Sequence, residues 1–405
     1  MLTSIKELFK IGPGPSSSHT IGPYNAALDF KQSIENSATS FKAILYGSLA
    51  LTGRGHRTDY VIKTVLGKDT KIDFDINTTT EHPNTMKLIA YNNDKVIKEE
   101  TYVSIGGGTI KKIDEKDPQE QYTYPFNSFT EIRQAFEKSK KNKIYDFVKE
   151  YEGSDLKDFL VDIFNKMQEV IKAGLEKEGF VAGELKVKRI AKELYEEASK
   201  CCDYSEKREL YISAYAYAVS ESNADNSIVV TAPTCGAAGV LPAVLYYYYN
   251  NLSASMDDII NALCIAGLIG ITVKQNATIS GAVGGCQAEI GTATSMAAAA
   301  ICVLNKLDFS YIEYAAEVGM EHQLGLTCDP VLGYVAIPCI ERNAYSALKA
   351  YDSYMFAKYL IPHRKNAVTL DEVIQAMKET GNDLIKDYKE TSLGGLAKSH
   401  KIHRL

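Results

Sequence analysis

A chain of 405 residues with a formal net charge of −6, hydrophobic residues at 45% and charged residues at 24% has the composition of an ordinary soluble globular protein, long enough for two domains. The acidic balance leaves no basic footprint for nucleic acid, and no block of like charge suggests an interaction tail. The opening MLTSIKELFK lacks the apolar core of a secretory signal. The longest apolar run, residues 259–273, is too short to span a bilayer and reads as a buried helix, so no membrane partner is expected. Eight scattered cysteines make no disulfide framework and fit a reducing, cytoplasmic setting.

In chain order, a short opening helix is followed by IGPGPSSSHTIGP, residues 11–23. Its glycines and prolines exclude regular structure. Thr20 or Ser18 suits an N-cap, and Pro23 suits the first turn of a helix over 24–32. Hydroxyls and a histidine packed at a helix N-terminus suit a carboxylate; the plainer reading is that Ser16, Ser17 and Ser18 only cap the helix. Residues 41–50 read as a strand leading into LTGRGHRTD, residues 51–59, a turn without the Lys-Ser/Thr of a phosphate-binding loop. His56 in it suits a general base or a capped-loop histidine. Strands are expected at 70–77, 85–91, 95–103 and 109–113. Gly106-Gly107-Gly108 marks a tight turn or a close ligand approach.

From 130 to 158 the composition turns charged. Beyond that, apolar stripes at helical spacing run over 159–178, 186–200 and 207–222. Residues 232–239, APTCGAAG, break the pattern before a helix from Pro242, and Thr234 there suits the lining of a ligand site. Residues 259–273 and 289–304 carry so little charge that both helices should be buried, the second on every side. A helix and an SLGGLA turn fill 371–397, and nothing marks an anchor for the tail 398–405. The fold class expected is an α+β N-terminal domain followed by an all-α C-terminal domain with buried central helices. The division falls at 1–135, a charged linker over 136–158, and 159–405.

Three cysteines sit in loops of glycine and proline: Cys286 after Gly284-Gly285, Cys328 before Asp329-Pro330, and Cys339 after Pro338. Cys264 and Cys302 lie in apolar helices and read as core. Thiolates held on irregular backbone can converge on one point. Three of them, with no fourth read in a comparable loop, suggest an iron–sulfur cluster with one iron left open. A Cys3His zinc site using His322, or three unrelated core cysteines, stand beside that reading.

The stretches GPSSSHTIGP (14–23), GSLALTGRGHRTD (47–59), SIGGGTI (104–110), YPFNS (124–128), VVTAPTCGAAGVLPAVL (229–245), NATISGAVGGCQAEIG (276–291), EHQLGLTCDPV (321–331) and PCIERNA (338–344), taken together and in this order, resemble the iron–sulfur L-serine dehydratases. The resemblance implies a [4Fe–4S] cluster on Cys286, Cys328 and Cys339. It also implies a β domain followed by a helical α domain, the first similar to the substrate-binding domain of some phosphoglycerate dehydrogenases. Two departures stand out. Some members end in a cysteine, whereas this chain ends SHKIHRL; His400 or His403 would have to replace it, and a disordered tail is expected instead. Asp225-Asn226-Ser227 stands where members often carry glycines.

The activity so implied is L-serine deamination to pyruvate and ammonia, with a Lewis-acidic iron on the hydroxyl and a histidine base at Cα. His19 and His56 are the candidate bases. Ser16, Ser17, Ser18 and Thr20 are expected to offer hydroxyls to the substrate, and Lys274 and Asn276 to face it from the cluster side. His322, Glu341, Arg342 and Asn343 are expected to orient ligands. A homodimer is expected. The rivals are a cysteine desulfidase, a pyridoxal-phosphate dehydratase, for which no lysine has a fitting setting, and a redox sensor.

Overall fold

A computed structural model of the protein describes residues 1–34, 38–113 and 122–400; His403 lies outside them. The N-terminal sheet has five strands in the order Lys71–Asp75, Ser40–Tyr46, Thr85–Asn92, Lys95–Gly106, Thr109–Lys112. The first pair is parallel and the others antiparallel. Period-2 alternation sends Ala43 and Leu45, with Leu88 opposite Ala43, to one face. There they pack on Ala26 and Phe30 of helix Gly22–Gln32 and on Ile62 and Leu66 of helix Thr58–Leu66.

The expected strand over 41–50 ends at Tyr46 because Gly47 adopts φ +53°, and a Cβ there would lie 2.5 Å from the Pro83 carbonyl oxygen. The chain turns at that point into the short helix Gly47–Thr52, which carries Ser48 inward.

The rest of the chain is mainly helical, as the composition beyond residue 158 implies. Helix Thr292–Leu304 has every residue from Thr292 to Val303 buried, and it packs on Met256–Asn276, Phe309–Glu321, Cys339–Leu360 and Val240–Asn251. Its alanines allow close approach, while Thr292 and Thr294 donate to carbonyls one turn back, so neither of these hydroxyls is stranded in the core. The helices Met256–Asn276 and Gln287–Leu304 are long and apolar enough to cross a bilayer, but 78% and 89% of their most apolar windows are buried inside the protein.

The first residues belong to this helical core. Leu2, Ile5, Leu8 and Phe9 are buried in it, Ile5 lying against Gly267 and Leu8 against Gly270. Strand Ile11–Pro13 then pairs antiparallel with Ile228–Val230, so the chain enters the SSSHT loop from a point pinned to the helices. The charged stretch after residue 130 is helical over Phe129–Ser139 and Ile144–Glu152, with Phe129, Ile132, Phe147 and Val148 in the same core. Most of its charges lie on the outer faces, as in an amphipathic helix, while Glu152 is buried and accepts from the Ile5 amide and the Tyr124 hydroxyl.

Candidate active site

Two loops from the sheet side and three segments from the helical side meet at one cavity, lined by Ser16, His56, Cys286, Glu289, Cys328, Cys339 and Glu390 among others. The SSSHT loop opens at Ser16, whose hydroxyl caps the turn by accepting from the His19 amide at 3.1 Å; this cap replaces the one expected from Thr20 or Ser18. Residues Ser17–Ile21 wind as a π turn before helix Gly22–Gln32, and Gln287–Gly291 does the same after Cys286. Such turns recur at functional sites because they offset side chains from the regular helical register.

His19 and His56 face each other with ring centroids 4.5 Å apart. The Glu390 carboxylate lies between them, its Oε1 at 3.4 Å from His19 Nδ1 and 3.3 Å from His56 Nε2. All three residues are buried. Hydrogen-bond partners fix the tautomers. His56 Nδ1 lies 3.0 Å from the Thr52 carbonyl, which only accepts, so Nδ1 carries the proton and Nε2 is the basic atom beside Glu390. Ser48 donates its hydroxyl to the Glu390 carbonyl at 2.6 Å and must therefore accept from His19 Nε2–H at 2.9 Å. That leaves His19 Nδ1 to accept from the Ser18 hydroxyl at 2.9 Å.

Burial lowers the His19 pKa to about 4 against the pull of Glu390, with His56 adding to the lowering, so His19 is neutral near pH 7. Burial alone would raise the Glu390 carboxyl; nearby His19, and the hydrogen bond and charge of His56 when its Nε2 is protonated, outweigh it and hold the group below the usual carboxylate range.

Across the cavity, Cys286 Sγ, Cys328 Sγ and a Glu289 carboxylate oxygen lie within 4.8 Å of one another. A hydrogen bond from Cys328, opposed by burial and aided by the Arg342 guanidinium, brings the Cys286 pKa to about 6 and favours its thiolate; the same bond pushes Cys328 up. Cys339 opens helix Cys339–Leu360 at the cavity edge. Glu289, held at 2.6 Å by the Thr234 hydroxyl, is pushed well up by burial and by the charges of Glu390 and Cys286. The backbone is crowded here. A Cβ at Gly281 would lie 2.7 Å from Glu289 Oε2 and 3.3 Å from Cys328 Sγ.

The C-terminal segment closes the site. The Cys328 amide donates to Tyr388 O and the Glu390 amide to Cys328 O, a short parallel bridge that brings Glu390 to the cysteine loop. The Asp329 carboxylate accepts from the Leu396 amide at 2.6 Å, which anchors the SLGGLA turn.

Of the residues singled out from sequence, His19, His56, Ser16 and the three cysteines come together around this cavity. Ser18 reaches it through His19, and Ser17 is buried in the π turn. Thr20 spends its hydroxyl on the His56 carbonyl. Asn276 donates to Asn127 O, and neither it nor Lys274 lines the cavity. Arg342 lies beside Cys286, and Asn343 ties Cys339 O to Gly236 O. His322 is exposed, away from the three thiols, and His400 is exposed near the chain end. Cys235, also in a glycine-containing loop, packs in the apolar core with its thiol pushed up by burial.

Glu390, Glu289 and Ser48 are the members that sequence missed. Only the family-matching stretches around Ser48 and Glu289 hinted at two of them. The His56 loop packs without slack, since a Cβ at Gly55 would lie 2.4 Å from the Gly333 backbone. Gly55→Ala should therefore shift His56 and lower kcat about tenfold or more, with little change in KM, in a steady-state assay.

A neutral histidine, a histidine–carboxylate pair and thiols at one cavity, held between a sheet unit and a helical unit, are groups suited to acid–base chemistry beside a soft-metal donor set. The serine dehydratase beta chain model matches residues 4–71 and the alpha chain model residues 85–397. The chain is 40% identical to the L-serine dehydratase of Helicobacter pylori, over 98% of this chain and 99% of that protein. It is 37% identical to that of Streptomyces coelicolor and 36% identical to L-serine dehydratase 1 of Escherichia coli, with the same coverage. The chain belongs to the serine dehydratase family, carries both parts in one polypeptide, and is an enzyme, a lyase of that family.

Proposed function

We propose that the protein deaminates L-serine to pyruvate and ammonia, with Cys286, Cys328 and Cys339 holding a [4Fe–4S] cluster. The donor set fits such a group: three sulfurs face one cavity, Cys286 already favours its thiolate, and Arg342 offsets the negative charge. When bound, the cluster would supply a Lewis-acidic iron to polarise the serine hydroxyl, a poor leaving group.

The chain's own residues carry the proton chemistry. His56 Nε2 is the atom suited to take the Cα proton, because its Nδ1–H is fixed on Thr52 O and Nε2 points beside Glu390. The Glu390 carboxylate offsets the imidazolium that forms. Its second oxygen, buried and without a hydrogen-bond partner among the described residues, suits the substrate ammonium. His19 stays neutral and holds Ser48 and Ser18 in place; Ser16 offers a hydroxyl at the cavity wall. Loss of water from serine gives the enamine, which tautomerises to an imine and hydrolyses to pyruvate and ammonia.

The observation that carries this reading is that the histidine–glutamate pair and the three thiols line the same cavity. Anaerobically purified protein should contain about four irons and four sulfides per chain and form pyruvate from L-serine. Protein without iron, or with iron but no pyruvate, would refute it. Faster sulfide release from L-cysteine than pyruvate formation from L-serine would move the assignment to the desulfidase.

A further inference from the structure

We propose that Thr20 and Thr58 are positioning residues that set the His19–His56 geometry by exchanging hydroxyl–carbonyl hydrogen bonds between their two loops; this rests on the acid–base reading above. Thr20 Oγ1 donates to the His56 carbonyl at 2.8 Å, and Thr58 Oγ1 donates to the His19 carbonyl at 2.6 Å. Each threonine thus follows one histidine closely in the chain and binds the backbone of the other. Both are fully buried, at 0% exposure, so water cannot substitute for a lost partner.

The local backbone is shaped to make the exchange. Thr20 Oγ1 also accepts from the Ser16 amide at 3.2 Å, which closes the SSSHT turn and aims the hydroxyl across the gap. On the other side Arg57 adopts φ +55°, a left-handed conformation uncommon for a residue with a side chain, and it turns Thr58 back toward His19. The Thr58 amide is itself held on Gly53 O at 2.8 Å.

The rings stand 4.5 Å apart and share Glu390, which reaches both from another segment. Among the described residues, the two threonine bonds are the direct hydrogen bonds between the histidine loops. Neither hydroxyl has a proton left for substrate, since each donates it to a carbonyl. Their effect on turnover is therefore through the placement of His56 Nε2, where an error of about 1 Å can cost 100-fold.

Thr20→Val and Thr58→Val keep side-chain volume and remove the hydroxyl. Each should lower kcat about 10- to 100-fold, leave KM within about twofold, keep the visible absorbance of the loaded enzyme, and shift the acid limb of the kcat–pH profile. Thr20→Ser and Thr58→Ser should retain kcat within about threefold on the same scale. The proposal is overturned if a valine variant with native absorbance keeps wild-type kcat and pH profile, or if the serine variants lose as much as the valine variants. Should a valine variant not fold, a serine variant whose kcat falls about tenfold or more overturns the proposal. Wild-type enzyme assayed in parallel separates the two claims: an inactive wild type refutes the proposed activity, whereas an active wild type with unaffected valine variants refutes the brace alone.

Discussion

His56→Ala should lower kcat for pyruvate formation by about 10²- to 10⁴-fold, with iron content and KM for L-serine little changed. The size follows from removing the one imidazole whose basic nitrogen is directed at the cavity, while the cysteine side of the site is untouched. His19→Ala should cost less, because burial holds that ring neutral with Nε2–H committed to Ser48. Its loss acts through Ser48 and Ser18, and kcat should fall by about tenfold or more.

Glu390→Gln separates charge from shape. The amide keeps the volume but no longer offsets an imidazolium, so kcat should fall while the fold persists. The sign of the pH dependence follows from Glu390 being held below the usual carboxylate range. The carboxylate is retained through neutral pH, and activity that depends on it is lost only as the pH falls through that lowered value. In the glutamine variant this acid-side loss should be absent from the profile. A His56→Ala enzyme turning over at the wild-type rate would remove His56 from the role of base.

How much of this was legible beforehand depended on whether a residue's job shows in its neighbours. The sheet strands carry β-branched and aromatic residues between turn-forming stretches, so their placement followed from composition and punctuation. The helix Thr292–Leu304 is all small or apolar, and burial on every side followed from that. His19, His56, Cys286 and Cys328 stand in or beside runs of Gly, Pro, Ser and Thr that break regular periodicity, and such runs mark segments that carry chemistry, whereas Cys339 opens a regular helix just after Pro338.

Glu390 has no such mark. It lies among YKETSLGGLA as one more charged residue, and the bridge between residues 328 and 389, with the Ser48 hydroxyl on its carbonyl, carries it into the interior. Glu289 was absorbed into an apolar helix by its neighbours. Lys274 and Asn276 do not line the cavity: the helix ends there and Asn276 turns to Asn127. The π turns also hid from periodicity, because one extra residue shifts the 3.6-residue pattern over too short a span to be read.

Replacing any one of Cys286, Cys328 or Cys339 by Ala should abolish bound iron, visible absorbance and pyruvate formation together. The three losses should be nearly equal, because ligands that act as a unit do not contribute additively. The protein around them also argues for a shared fate. The half-buried Arg342 guanidinium stands beside all three cysteines and is favoured foremost by Cys286.

The contrast lies with the other buried thiols. Cys235, Cys264 and Cys302 are buried with pKa values raised chiefly by burial, as inert core thiols are. Cys302→Ala should cost about 1 kcal/mol of stability in denaturant unfolding and keep full iron content and activity. Iron analysis on the set of six alanine variants tests the division directly. If iron survives the loss of Cys339 while it is lost with Cys302, the ligands are not the loop cysteines, and the cavity shared with His56 and Glu390 has some other purpose.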